Sequence, residues 1–156
     1  MAFADPLVQR FSWARIAPYT PDDARAFFAA QERDRRRGEE ISFALVTPGD
    51  DTAVLGGASL YGVDRAERRA AVGYWLAADA RGRGIASRAV RLLAGWSFAQ
   101  LGVARLELTC APENAASQAV AARCGFTREG VLRSHLVFKG ARRDTVMFSL
   151  LPGELW

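Results

Sequence analysis

The hexapeptide Arg81-Gly82-Arg83-Gly84-Ile85-Ala86 combines two glycines and two guanidinium groups at a change from a strand-like to a helical pattern. A glycine-rich turn at the mouth of a helix leaves backbone N–H groups unpaired, and the helix dipole adds partial positive charge there. Such a turn can seat a diphosphate, because each charge-assisted hydrogen bond from an amide, Arg81 or Arg83 contributes roughly 1.5–3 kcal/mol. The same composition suits a solvent-exposed turn that uses glycine for positive φ and arginine for solubility, so the surrounding elements have to decide.

Other chemistries find less support. Cys110, Cys124 and His135 are too few for a zinc site with ordinary ligand spacing, and no metal is expected. Cys110 reads as a small strand residue and Cys124 as a buried helix end; cysteines this sparse fit a reducing compartment. The net charge of +4 comes mostly from arginine, and the densest run, residues 33–37, is followed by Glu39 and Glu40, as at the solvated end of a helix. No basic stripe is interleaved with aromatics, which argues against nucleic acid. No apolar run approaches the roughly 18 residues of a membrane span, and the first residues lack a basic segment followed by an apolar one. The expectation is a cytoplasmic chain with no membrane partner, one domain over residues 1–156.

Thr20-Pro21-Asp22-Asp23 is a helix start, with Thr20 as N-cap, proline in the first turn and acids behind it. The helix should run over 21–37, with Ala24, Phe27, Phe28 and Gln31 near one face, and stop at Gly38. Strand-like segments follow at 41–47, 53–61 and 68–76, joined by turns rich in Gly, Pro and Asp, which reads as an antiparallel meander. Over 85–101, Ile85, Ala89, Leu92, Leu93 and Trp96 recur at helical spacing, with Arg88 and Arg91 on the polar side and Gly102 as the stop. A strand at 104–110 leads to a helix opened by Pro112-Glu113-Asn114 and closed by Cys124-Gly125. Two more strands, 127–138 and 142–150, flank the turn Lys139-Gly140-Ala141. The order predicts a mixed α/β fold: a mostly antiparallel twisted sheet with one right-handed parallel crossover, between the third and fourth strands.

These motifs in this order resemble the GNAT superfamily of acetyl-CoA-dependent N-acetyltransferases. Residues 81–86 fit its Gln/Arg-x-x-Gly-x-Gly/Ala signature, Asn114-Ala115-Ala116-Ser117 its Asn-x-x-Ser pattern, and Gly125-Phe126 the usual end of the following helix. The tail, from Gly140 through Arg143-Asp144 to Phe148-Ser149-Leu150-Leu151, is similar to the branch that acetylates N-termini of ribosomal proteins and small amines. Members of that branch begin with a strand and helix ahead of the segment that Asp5-Pro6-Leu7-Val8-Gln9-Arg10 resembles. This opening is expected to be missing here, either because the chain is a naturally short version or with the sheet edge supplied by something else, such as a partner subunit.

The resemblance implies acetyl-CoA as co-substrate. The strand around Tyr74, Trp75 and Leu76 would pair its backbone with the pantetheine arm, and Gly73 would mark a bulge or a close approach. Amides from Arg81, Gly82, Arg83, Gly84, Ile85 and Ala86 would take the pyrophosphate. Asn114 would bond the pantetheine arm, and Ser117 would lie near the sulfur and protonate the leaving thiolate. Both are also preferred helix-capping residues. The tyrosine that many relatives place four residues before Gly-Phe is here Ala121, and the glutamate five residues before the Asn is Thr109. Glu107, on the same strand face as Thr109, is the remaining base, acting directly or through water, or else a salt-bridged surface residue. His135 reads as structural.

A weak base suits an amine of low pKa. At pH 7 an α-amine is roughly 10–15% neutral, a lysine amine only about 0.04%. The acceptor is therefore expected to be a protein N-terminus or a small-molecule amine, attacking the thioester directly in a ternary complex without a cysteine intermediate. The helix over 21–37, the loop at 64–68 and the final hairpin would bind it. Phe3, Leu7, Phe11 and Trp13 would form a lip of that site or a dimer contact. Two other classes stay open. One is a non-catalytic acyl-CoA-binding module. The other is a dinucleotide-dependent oxidoreductase, which Gly82-x-Gly84 and the offset to Glu107 would allow, although Ser87 stands at the third glycine position and the motif follows an antiparallel meander.

Overall fold

The computed structural model describes residues 5–13 and 20–155; Phe3, one of the expected lip residues, lies outside them. The elements are helices α1 (Pro6–Phe11), α2 (Pro21–Arg37), α3 (Ile85–Gln100) and α4 (Ala115–Arg123), and strands β1 (Glu40–Thr47), β2 (Asp50–Asp64), β3 (Arg69–Leu76), β4 (Arg105–Cys110), β5 (Thr127–Phe138) and β6 (Ala141–Leu150). One six-stranded sheet has the order β1-β2-β3-β4-β6-β5. Only β3 and β4 are parallel, so the expected mixed sheet with a single crossover is what forms. No described helix is long and apolar enough to cross a membrane.

Local chemistry explains the boundaries. Thr20 and Asp23 form a reciprocal capping box at the start of α2, and Gly38 at φ 70° ends it in the left-handed conformation. The 3₁₀ turn Ala78–Ala80 carries the chain from β3 towards α3. Asp5 caps α1 by accepting from Leu7 N (2.9 Å) and Val8 N (3.1 Å), with Pro6 in the first turn. Neither this short helix nor the 3₁₀ turn was announced by the periodicity.

The core lies between one sheet face and the helices α3 and α4. Alternation along the strands sends Ala58 and Leu60, Ala70 and Val72, Leu106 and Leu108, and Val146, Phe148 and Leu150 to that face, against Ala86, Ala89, Val90, Leu93 and Ala94 of α3 and Val120 and Ala121 of α4. Leu92, expected on the apolar face of α3, points to solvent at 68% exposure because its neighbour Leu93 takes the inward position. α2 buries no residue completely, and Phe27 and Phe28 stand exposed.

Candidate functional site

β3 and β4 pair only at their beginnings, Arg69–Ala71 against Arg105–Glu107. Beyond Ala71, β3 follows β2 as far as Gly56↔Leu76, while β4 follows β6 as far as Cys110↔Val146. A wedge therefore opens between two parallel strands. Past Ala71 no residue of β3 pairs with β4. A strand edge opened in this way can take an extended, amide-bearing ligand as an added strand.

The phosphate-type turn stands at the mouth of this wedge. Gly82 and Gly84 have φ of 70° and 75°, and a Cβ on either would meet nothing within 4 Å. The glycines are required by the dihedral angle and not by lack of room. Gly84 is the N-cap of α3 and supplies no side chain to its first amides, which stay open to an anion. Ala86, Ala89, Val90, Leu93 and Ala94 pack α3, with those amides at its start, against the core.

Arg81 does something other than the sequence suggested. Its Nη2 donates to Asp5 Oδ1 at 2.7 Å and to the Leu76 carbonyl at 3.0 Å, and its Nη1 to Asp5 Oδ2 at 3.3 Å. Arg81 thus ties α1 to the end of β3, and its charge, expected to face a phosphate, is matched within the chain. The same contact holds the Asp5 carboxyl below its ordinary range. Arg83 is exposed on the turn.

Across the wedge, Asn114 Oδ1 accepts from Ser117 N at 3.1 Å and caps α4. The cap uses the carbonyl oxygen, so the side-chain amide still has donors to offer. Ser117 is half-buried one turn into the helix. Beside its hydroxyl lies that of Tyr74, whose pKa burial pushes up to about 12. Tyr74 Oη is buried and makes no hydrogen bond of good geometry. Cys110 and Cys124 belong to the core; burial lifts the Cys110 thiol to about 11 and raises that of Cys124. Both stay protonated at neutral pH and are poor nucleophiles.

The other sheet face carries Tyr61, Trp75 and Glu107. Gly73 sits in regular register opposite Ser59, so it marks no bulge. A Cβ there would lie 3.1 Å from Tyr61 Cε1: the close approach is of an aromatic ring. Trp75 lies over Gly57 in the same way. The Tyr61 hydroxyl reaches Thr109, and burial, with the charges of Glu107 and Glu40, raises its pKa. Glu107 accepts from Arg105 Nε at 2.8 Å, and Arg105 also grips both carboxylate oxygens of Glu129, at 2.8 and 2.6 Å. Glu107 is therefore ion-paired, within the closed part of the sheet, opposite Ala71. His135 is exposed on β5.

Sequence reasoning named residues 81–86, Asn114, Ser117 and the backbone of Tyr74, Trp75 and Leu76; these stand in the turn and first residues of α3, at the start of α4 and at the end of β3. It missed Tyr61 and the side chain of Tyr74. Alternation along β2 and β3 was the available signal: it sends Tyr61 to the face of Ser59, and Tyr74 to the face of Val72.

Residues 1–127 match the acetyltransferase (GNAT) domain family. YdaF of Bacillus subtilis (strain 168), provisionally named a ribosomal N-acetyltransferase, is 38% identical over 104 residues, which cover 67% of this chain and 57% of YdaF. The chain thus aligns with less than two thirds of that relative's length. RimJ of Mycobacterium smegmatis, solved with CoA-disulfide, superposes with a TM-score of 0.79 at 30% identity, covering 86% of this chain and 63% of RimJ. The microcin C7 self-immunity acetyltransferase MccE, solved with acetyl-CoA and AMP, gives 0.75 at 30% identity, covering 83% and 71%.

Proposed function

Because the chain belongs to the acetyltransferase (GNAT) domain family, we propose that it transfers the acetyl group of acetyl-CoA to a primary amine, either a protein N-terminal α-amine or a small-molecule amine of similarly low pKa. The observation that carries this reading is the wedge between β3 and β4 with the uncapped N-terminus of α3 at its mouth. The pantetheine amides pair with β3 over residues 72–76, and the pyrophosphate rests on the amides of residues 82–86. Asn114 offers its side-chain amide to the arm, and Ser117 stands near the sulfur. RimJ and MccE, solved with CoA-disulfide and acetyl-CoA, support this cofactor. The dinucleotide reading falls away with the family match.

The neutral amine attacks the thioester carbonyl carbon, backbone N–H groups near Trp75 and Leu76 stabilise the oxyanion, and the C–S bond breaks. The proton shed by the nitrogen balances the one the thiolate takes. Glu107 would act as a base while Arg105 holds its Oε1, which favours an acceptor needing little base assistance. The ribosomal name of YdaF supports a protein N-terminus as acceptor.

Calorimetric titration with acetyl-CoA tests the cofactor, with NAD as control. Gly84→Glu forces a side chain into φ 75° and puts a carboxylate at the phosphate seat; affinity should fall at least about a hundredfold, or ~2.7 kcal/mol. Equal affinity in both proteins would refute the seat. Acetyl-CoA binding without release of free thiol, with any amine, would favour an acyl-CoA-binding module.

A further inference from the structure

The Tyr74 hydroxyl is the buried polar group of the site that the reaction outlined above leaves unused. Buried hydroxyls are almost always paired, and one without a partner calls for a reason. Phenylalanine would fill the same space at no polar cost, so packing does not supply the reason. Tyr74 lies on the core face of β3 with Val72, its ring against the core; its Oη is closed to solvent and makes no hydrogen bond of good geometry, and the polar group it approaches is the Ser117 hydroxyl.

We propose that Tyr74 is a positioning residue for Ser117: with acetyl-CoA bound, its phenol O–H donates to Ser117 Oγ and turns the Ser117 O–H onto the departing sulfur. The inference rests on the acetyl-transfer reading. In the step itself the N–C bond forms, the C–S bond breaks and its electron pair goes to sulfur. The nitrogen's proton supplies the thiol, and Tyr74 and Ser117 both end with the protons they began with. A hydroxyl chain of this kind stabilises charge that exists only as the thiolate departs, so it acts on kcat and not on binding. Burial keeps the phenol protonated throughout the neutral range, with a pKa of about 12, so it remains a donor across any practical assay pH.

The test uses the full chain with acetyl-CoA and whichever α-amine peptide or small amine gives the fastest release of free thiol. Tyr74→Phe should lower kcat about tenfold, as loss of one hydrogen bond made in the transition state would. Its KM for acetyl-CoA should stay within twofold, at roughly the same ratio from about pH 6.5 to 9. Its melting temperature should be unchanged or higher, because an unpaired buried hydroxyl has gone. In a Ser117→Ala background the same change should have no further effect. Wild-type protein that releases no thiol with any amine overturns acetyl transfer itself. An active wild type overturns only the Tyr74 proposal if Tyr74→Phe retains kcat, raises KM alone, or multiplies the Ser117→Ala loss.

Discussion

α3 and α2 are of nearly equal length, 16 and 17 residues, yet they meet the sheet in opposite ways. α3 buries Ala86, Ser87, Ala89, Val90, Leu93, Ala94 and Ser97; α2 buries nothing completely and is held by its capping box and by ion pairs such as Glu32 with Arg35 and Arg36. The helix beside the wedge is fixed by packing, and its N-terminal amides inherit that rigidity. α2, expected from the sequence to bind the acceptor, exposes Phe27 and Phe28. A common co-substrate can be bound by backbone held in place by a core, whereas an acceptor must be chosen by side chains that the core does not dictate.

The sharpest way to break this contrast is to empty the core beneath the wedge. Leu106 is fully buried on β4, and Leu106→Ala should cost about 2–5 kcal/mol. Phe28→Ala, at 65% exposure, should stay within about 0.5 kcal/mol while altering KM for the acceptor. Thermal or urea unfolding measures both costs. Comparable destabilisation by the two would show that α2 packs as firmly as the core beneath the wedge.

Asn114 lets capping and ligand binding be separated. Asn114→Ala removes the acceptor for Ser117 N and should cost about 1 kcal/mol of stability. Asn114→Ser restores the cap but not the amide, so it should recover the stability and leave acetyl-CoA binding weakened. Recovery of both by serine would reduce Asn114 to a cap.

The same contrast governs what could be read in advance. Thr20-Pro21 and Gly38 gave both ends of α2, the strand-like segments between turns foretold the meander of β1, β2 and β3, and the helical spacing over 85–101 foretold the crossover, because caps, turns and periodicity are local. Asp5-Pro6 carries the same signal as Thr20-Pro21, but a six-residue helix offers too little periodicity to register. Leu92 and Leu93 are equivalent in composition, and only packing against the sheet chooses between them. The partner of Arg81 lies 76 residues away in sequence, so its engagement with Asp5 is a fact of the tertiary fold. The ion pair of Glu107 was within reach, since Arg105 is its i−2 neighbour on one strand face.

The smallest expected effect lies on the face opposite the core, where Arg105 links Glu107 to Glu129 and Ser149 donates to Glu129 at 2.7 Å. Arg105 first, and Ser149 with it, hold the Glu129 carboxyl down to about 2. A carboxyl lowered on folding contributes stability above its unfolded pKa of about 4.3, and that stability is lost as pH falls towards 2. Glu129 is 39% exposed, so solvent screening limits the pair to about 0.5 kcal/mol. Glu129→Gln should lower stability by about that amount at pH 7, and the difference should shrink between about pH 4.5 and 2. Unfolding curves across that range measure it. The substitution lies outside the wedge, so kcat should be unchanged. A fall in kcat would mean that Arg105, freed from Glu129, had tightened on Glu107, and that this carboxylate takes part in the reaction after all.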